Sequence, residues 1–103
     1  MKKILLVCAA GMSTSLLVNK MNDAAKDKGI AIDIVALPIS ECSKAAEEVD
    51  VVLLGPQVRY QKAQVDAIVD GRVPVEVIEM RAYGTMNGSA ILDRALELIG
   101  QDQ

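Results

Sequence analysis

Two short runs without a polar residue, Ile4-Leu5-Leu6-Val7 and Val51-Val52-Leu53-Leu54, restrict the fold more than any other feature of the chain. A strand with one face in water alternates apolar and polar side chains, whereas these runs require burial on both faces, as in the centre of a parallel sheet. The strand Lys3–Val7 leads through small residues into a helix over Ser13–Lys28, with Leu17, Met21, Ala24 and Ala25 on one stripe and Gly29 at its stop. Ala31–Ala36 reads as a second strand, closed by Pro38, and Ser40–Val49 as a short helix with Ser40 as N-cap. After Val51–Leu54, Gly55-Pro56 breaks the chain, and Gln57–Asp70 carries Val58, Val65, Ile68 and Val69 at roughly helical spacing, with Gly71 just beyond. Val73–Ile78 is the fourth strand, and Pro74, which cannot donate to a ladder, argues for a sheet edge. Asn87 or Ser89 caps a last helix that turns Ile91, Ala95, Leu98 and Ile99 inward.

Strands alternating with helices, in 103 residues without repeat or linker, predict one three-layer α/β domain over 1–103. Right-handed crossovers and two central strands favour a four-stranded parallel sheet in the order 2-1-3-4, flavodoxin-like, with helices on both faces. Such sheets bind ligands outside the carboxyl ends of the strands where the order reverses, here between strands one and three. The residue at that point is Cys8.

Composition narrows the chemistry. There is no histidine, so the chain cannot build a Cys-His or Ser-His couple, a phosphohistidine or a His-ligated metal of its own. Phe and Trp are absent and only Tyr60 and Tyr83 represent the aromatics, which leaves no platform for stacking bases. The net charge is −3 and the charges are scattered, so no nucleic-acid surface is expected. Two cysteines, Cys8 and Cys42, make neither a disulfide framework nor a zinc signature, and a reducing, cytoplasmic setting follows. Lys2-Lys3 before an apolar stretch imitates a secretion or lipoprotein signal, yet Ile4–Val7 is too short for one and Val7 is not the small residue that precedes a lipidated cysteine. No segment is long enough to insert in a membrane, and neither metal nor cofactor is expected.

The loop Cys8-Ala9-Ala10-Gly11-Met12-Ser13-Thr14-Ser15 sets one thiol ahead of small residues and a helix start. Such a turn lets backbone N–H groups converge, and the helix dipole adds positive potential: an anion cradle, most naturally for phosphate. A thiol facing that field is favoured as a nucleophilic thiolate. A lone cysteine at a strand end is more often a small buried hydrophobe, but here the thiol, the small-residue loop, the helix start and the switch point coincide. Cys42 has no such loop after it and reads as structural or incidental. Low-molecular-weight protein tyrosine phosphatases carry a thiolate at the end of strand one and follow it, after five residues, with Arg; here that position is Thr14, and no Arg or Lys lies between Lys3 and Lys20. Without a guanidinium to clamp the equatorial oxygens, hydrolysis is poorly supported and a carrier of phosphoryl groups fits better, with a cysteine-dependent phosphatase or arsenate-reductase-like enzyme as the alternative.

Cys8-x-x-Gly11-Met12-Ser13-Thr14-Ser15, then Leu53-Leu54-Gly55-Pro56-Gln57 with Tyr60, and Tyr83-Gly84 before the last helix, together resemble the enzyme IIB component of the bacterial phosphoenolpyruvate-dependent sugar phosphotransferase system, in its lactose and N,N′-diacetylchitobiose (cellobiose) branch. The resemblance spans the whole chain. It implies a fold like that of the low-molecular-weight tyrosine phosphatases and a phosphotransferase activity. It further implies that Cys8 takes a phosphoryl group from a phosphohistidine on a separate IIA protein and passes it to a disaccharide held by a membrane-embedded IIC permease. The phosphate loop of the family maps onto Ala9, Ala10, Gly11, Met12, Ser13, Thr14 and Ser15. Gln57, Tyr60 and Tyr83 are candidates for the loop border or for partner contact, Met12, Met80 and Met86 for adaptable partner surface, and a monomer is expected.

Overall fold

The computed structural model describes residues 2–8 and 11–101, and side chains over 2–8 and 15–100. The two apolar runs lie side by side at the centre of a parallel sheet: β1 (Lys2–Val7), β2 (Ile32–Leu37), β3 (Val51–Leu54) and β4 (Val75–Val77) in the order β2-β1-β3-β4. Ile4 stands opposite Ile34 on one side and Val51 on the other, and Leu54 opposite Val77. Asp50 fixes the start of β3, because its backbone N–H donates to the Lys3 carbonyl at 2.8 Å while its carboxylate accepts the Lys3 N–H at 2.8 Å.

The strand period of two reappears within the apolar runs as a division between two cores. Ile4, Leu6, Val51 and Leu53 face α1 (Gly11–Asp27) and α5 (Gly88–Gln101), where they meet Leu17, Met21, Leu92 and Ala95. Leu5, Val7, Val52 and Leu54 face the opposite way, onto Cys42 of α2 (Cys42–Ala45) and Val65 and Val69 of α3 (Lys62–Val69). Every one of these eight strand residues is at most 2% exposed. Burial of such a side chain is worth roughly 1.5–3 kcal/mol, so the absence of polar residues from both runs reflects two hydrophobic layers rather than one.

The helices depart from the sequence reading mainly at their ends. α1 starts at Gly11 rather than Ser13 and closes in a Schellman motif: Gly29 takes φ +70°, its N–H donates to Lys26 O, and the Ile30 N–H reaches Ala25 O. The expected helix over Ser40–Val49 is broken into a 3₁₀ turn at Ile39–Glu41, α2, and a second 3₁₀ turn at Ala46–Glu48. Ser40 does not cap it; Pro38 occupies the cap position and no side chain bonds the helix start. The segment after β3 likewise begins with a 3₁₀ stretch, Pro56–Gln61, bent at Val58, before α3 forms. β4 is shorter than Val73–Ile78, because Pro74 lies outside it and contributes only its carbonyl, which accepts the Val52 N–H. A further helix, α4 (Met80–Gly84), was not expected; five residues are too few to show a periodicity. Of the two cap candidates for α5, Asn87 serves, its Oδ1 accepting the Ala90 N–H at 3.1 Å.

Besides its apolar face, α5 makes two close contacts. Gly88 is buried against α1 so closely that a β-carbon there would lie 2.5 Å from the Lys20 carbonyl carbon and 2.7 Å from Met21 N. Arg94 forks across Glu76 of β4, with Nε and Nη2 each 2.7 Å from a carboxylate oxygen, while Nη1 bonds Glu97 at 2.6 Å. The Arg94 hydrogen bonds hold the Glu76 carboxyl below its ordinary pKa. Gly88→Ala is expected to cost about 2–3 kcal/mol in chemical denaturation, since backbone rather than a flexible side chain must give way. Glu76 is deprotonated more readily folded than unfolded, so its contribution is present above its unfolded pKa of about 4.3 and lost as pH falls through the depressed folded value. Acid titrations of stability for wild type and Glu76→Gln should show that component only in the wild type.

Candidate functional site

β1 delivers Cys8 to the carboxyl edge of the sheet, with its backbone pinned from both sides. The Cys8 N–H donates to Leu37 O of β2 at 3.2 Å, and the preceding carbonyl, Val7 O, accepts the N–H of Gly55 just past β3 at 3.0 Å. The residue is 8% exposed, at the rim of the buried strand. α1 begins three positions later, and its first turn contains no carboxylate, so nothing there cancels the positive end of the helix dipole. Ala9 and Ala10 of the expected phosphate loop, and the side chains of Met12, Ser13 and Thr14, lie outside the described residues. Ser15 is exposed on the early part of α1.

The other candidates gather on the neighbouring strand ends. Gln57, Tyr60 and Tyr83, with Pro56, Arg59, Met80 and Gly84, line one open groove of about 620 Å³. Cys8 is not among the lining residues; the connection runs through Gly55. A β-carbon on Gly55 would lie 2.9 Å from Gln57 Oε1, 3.6 Å from Tyr83 Cε2 and 3.8 Å from Val7 O, so the carboxamide and the ring crowd around the glycine that is bonded to the residue before Cys8. Gly55 has φ −61° and ψ 146°, a conformation open to any residue, so it is space rather than backbone freedom that glycine supplies here. The sequence shows Gly55 only as a strand breaker, and no pattern in it signals the packing of Gln57 over that position.

The two tyrosines differ in role. Tyr83 of α4 is buried at 8% exposure and belongs to the core beneath α5, whereas Tyr60 is 75% exposed. Met80 is 63% exposed beside it, while Met86 is half-buried against the core. Arg59 and Arg81 are exposed near these apolar side chains. Among the described residues no group of three or more His, Cys, Asp or Glu side chains could hold a metal ion, and no helix is long and apolar enough to cross a membrane.

The family profile described as "PTS system, Lactose/Cellobiose specific IIB subunit" matches residues 3–94. The chain belongs to this family. It is 41% identical over 100 residues to the oligo-beta-mannoside-specific EIIB component of Bacillus subtilis (96% of this chain, 97% of that protein). It is 44% identical over 105 residues to the cellobiose-specific EIIB component of Lactococcus lactis (95% and 96%). Its fold superposes with a TM-score of 0.84 on the solution structure of the cellobiose-specific phosphotransferase IIB component from Borrelia burgdorferi, at 40% identity over 99% of this chain and 94% of the other. The IIB chain is thus a phosphotransfer component of sugar uptake, of the cellobiose and lactose type.

Cys42 stands apart from this site. It is fully buried against Leu5, Val52 and Val65 on the far face of the sheet, and burial pushes its thiol above the ordinary range. The raised folded pKa means that its contribution to stability is complete below the unfolded thiol value of about 8.5 and is lost as pH rises toward the folded one. Denaturation midpoints followed from neutral to alkaline pH should fall more steeply in wild type than in Cys42→Val, which has nothing to ionise at that position.

Proposed function

We propose that Cys8 is the phosphoryl carrier of this IIB chain, taking the group from a phosphohistidine on a IIA protein and giving it to a sugar held by a membrane-embedded IIC permease. The observation that carries this reading is the position of Cys8: at the switch point of the sheet, held between β2 and β3, immediately ahead of a 17-residue helix whose first turn has no acidic residue. The lack of histidine fits a donor imidazole on another chain.

In the first transfer the Cys8 thiolate attacks phosphorus in line, the P–N bond breaks, and its electron pair stays on the imidazole, which takes up a proton. In the second, a sugar hydroxyl attacks, loses its proton to solvent or a base, and the S–P pair returns to Cys8 as thiolate. Backbone N–H groups over Ala9, Ala10, Gly11, Met12, Ser13, Thr14 and Ser15 receive the phosphoryl oxygens, and the α1 dipole favours their charge. Holding the group without an arginine clamp suits a carrier, which must keep it from water until an acceptor docks.

Exposed Tyr60 and Met80 provide surface for that docking, and a flexible thioether adapts to two successive partners. The chain works as a monomer in the cytoplasm, because one sheet edge must face each partner in turn. The acceptor is a disaccharide of the β-linked class; the two relatives above, similar to this chain to nearly the same degree, are named for different sugars.

Intact-protein mass after incubation with phosphoenolpyruvate, enzyme I, HPr and a panel of IIA proteins tests the assignment. Wild type should gain one phosphoryl group, only when a IIA protein is present, and Cys8→Ser should gain none. Phosphorylation of Cys8→Ser to the wild-type extent, or turnover of an aryl phosphate by the isolated wild-type chain, would overturn it, the second in favour of a thiol phosphatase.

A further inference from the structure

Gln57 has no part in the core. It is exposed, it follows the proline that starts the 3₁₀ stretch after β3, and among the described residues its carboxamide has no hydrogen-bond partner. An unpaired surface glutamine ordinarily extends into water, where its rotamer entropy is kept. Here the side chain folds back over its own turn, so that Oε1 lies 2.9 Å from the position a Gly55 β-carbon would fill, with the Tyr83 ring 3.6 Å and the Val7 carbonyl 3.8 Å from the same point. The Gly55 N–H bond to Val7 O holds this cluster to the chain segment that leads into Cys8.

We infer that Gln57 is a phosphoryl-positioning residue: its carboxamide donates an N–H to an oxygen of the group carried by Cys8, from the β3 side of the sheet edge. The inference rests on the assignment of Cys8 as carrier. A carboxamide is suited to this task, because it offers two N–H donors and no net charge. It orients the trigonal phosphoryl in flight without the strong clamp that would favour hydrolysis or trap the group on sulfur. Bare Gly55 is part of the arrangement, since a methyl group there would crowd Oε1 at 2.9 Å. The Tyr83 ring, buried beneath α5, walls the cluster on its far side.

Two substitutions test this by different routes. Gln57→Glu keeps the shape, removes the donors and adds a negative charge beside the phosphoryl. Gly55→Ala leaves Gln57 in the chain but displaces its carboxamide; the backbone conformation accepts alanine, and the 2.9 Å conflict is with the mobile end of a side chain, so the fold should hold. Single-turnover phosphorylation by a phosphorylated IIA protein should slow about 10- to 100-fold in Gln57→Glu and at least several-fold in Gly55→Ala, the range expected for loss of one hydrogen bond to a charged group. The ³¹P resonance of the phosphorylated chain should shift in both, and thermal melting should stay near that of the wild type.

Wild-type rates together with an unchanged ³¹P resonance in both variants, while Cys8→Ser accepts no phosphate, would refute the role of Gln57 and leave Cys8 standing. Slower transfer accompanied by lowered melting and an unshifted resonance would also refute it, by reducing Gln57 to a structural residue. Failure of the wild type to be phosphorylated by any IIA protein would remove the Cys8 assignment, and the inference with it.

Discussion

Burial of β1 and β3 on both faces is the constraint from which the rest of this structure follows. Where Ile4–Val7 and Val51–Leu54 carry no polar side chain, the backbone groups are left to be satisfied by neighbouring strands and both surfaces to be covered by helices, so the three layers and the parallel connections come together as one solution. The pair also sets where chemistry can occur. Along Ile4–Val7 and Val51–Leu54 every side chain is committed to a core, and the first position after this run of β1 at which a residue can face a ligand is the one beyond Val7. Cys8 occupies it, with its backbone still tied to β2 and its predecessor tied to Gly55.

The anchoring of that edge suits the carrier role proposed for Cys8. Phosphoryl transfer has little covalent work for the protein beyond positioning and charge stabilisation, so it benefits from a nucleophile anchored by ladder hydrogen bonds rather than one on a free loop. α1 supplies field without formal charge. The charged pairs of the molecule lie elsewhere, as in the Glu76 and Arg94 fork that ties the edge strand to α5. In the role proposed for Cys8, neutral donors and dipoles would hold a phosphoryl group less tightly than cations, which suits a group that must move on.

The few aromatic and sulfur side chains show how context assigns function. Tyr83 and Tyr60 border the same groove, yet one is built into the core under α5 and the other stands in solvent. Cys8 and Cys42 are both buried, but Cys42 is enclosed by aliphatic side chains that penalise its thiolate, while Cys8 is at the sheet rim beside a helix start. Residue type alone would not separate the members of either pair.

Much was legible in the residues themselves. The lack of alternation in Ile4–Val7 and Val51–Leu54 identified the central strands, and with the strand and helix order it led to the sheet sequence 2-1-3-4; Gly29 marked the end of α1, and the string from Cys8 to Ser15, with the later motifs, marked the family. These are local patterns, written in consecutive residues because burial and backbone conformation act residue by residue. Tertiary structure alone decided the short α4, the broken helix after Pro38, the choice of Asn87 over Ser89 as cap, the need for glycine at positions 55 and 88, and the grouping of Gln57 with Tyr83 beside Val7. The two groupings that depend on atoms from distant parts of the chain are the clearest cases, Gly88 against the backbone of Lys20 and Gln57 with the ring of Tyr83 around Gly55, and a distance of that kind exists only once the layers have packed.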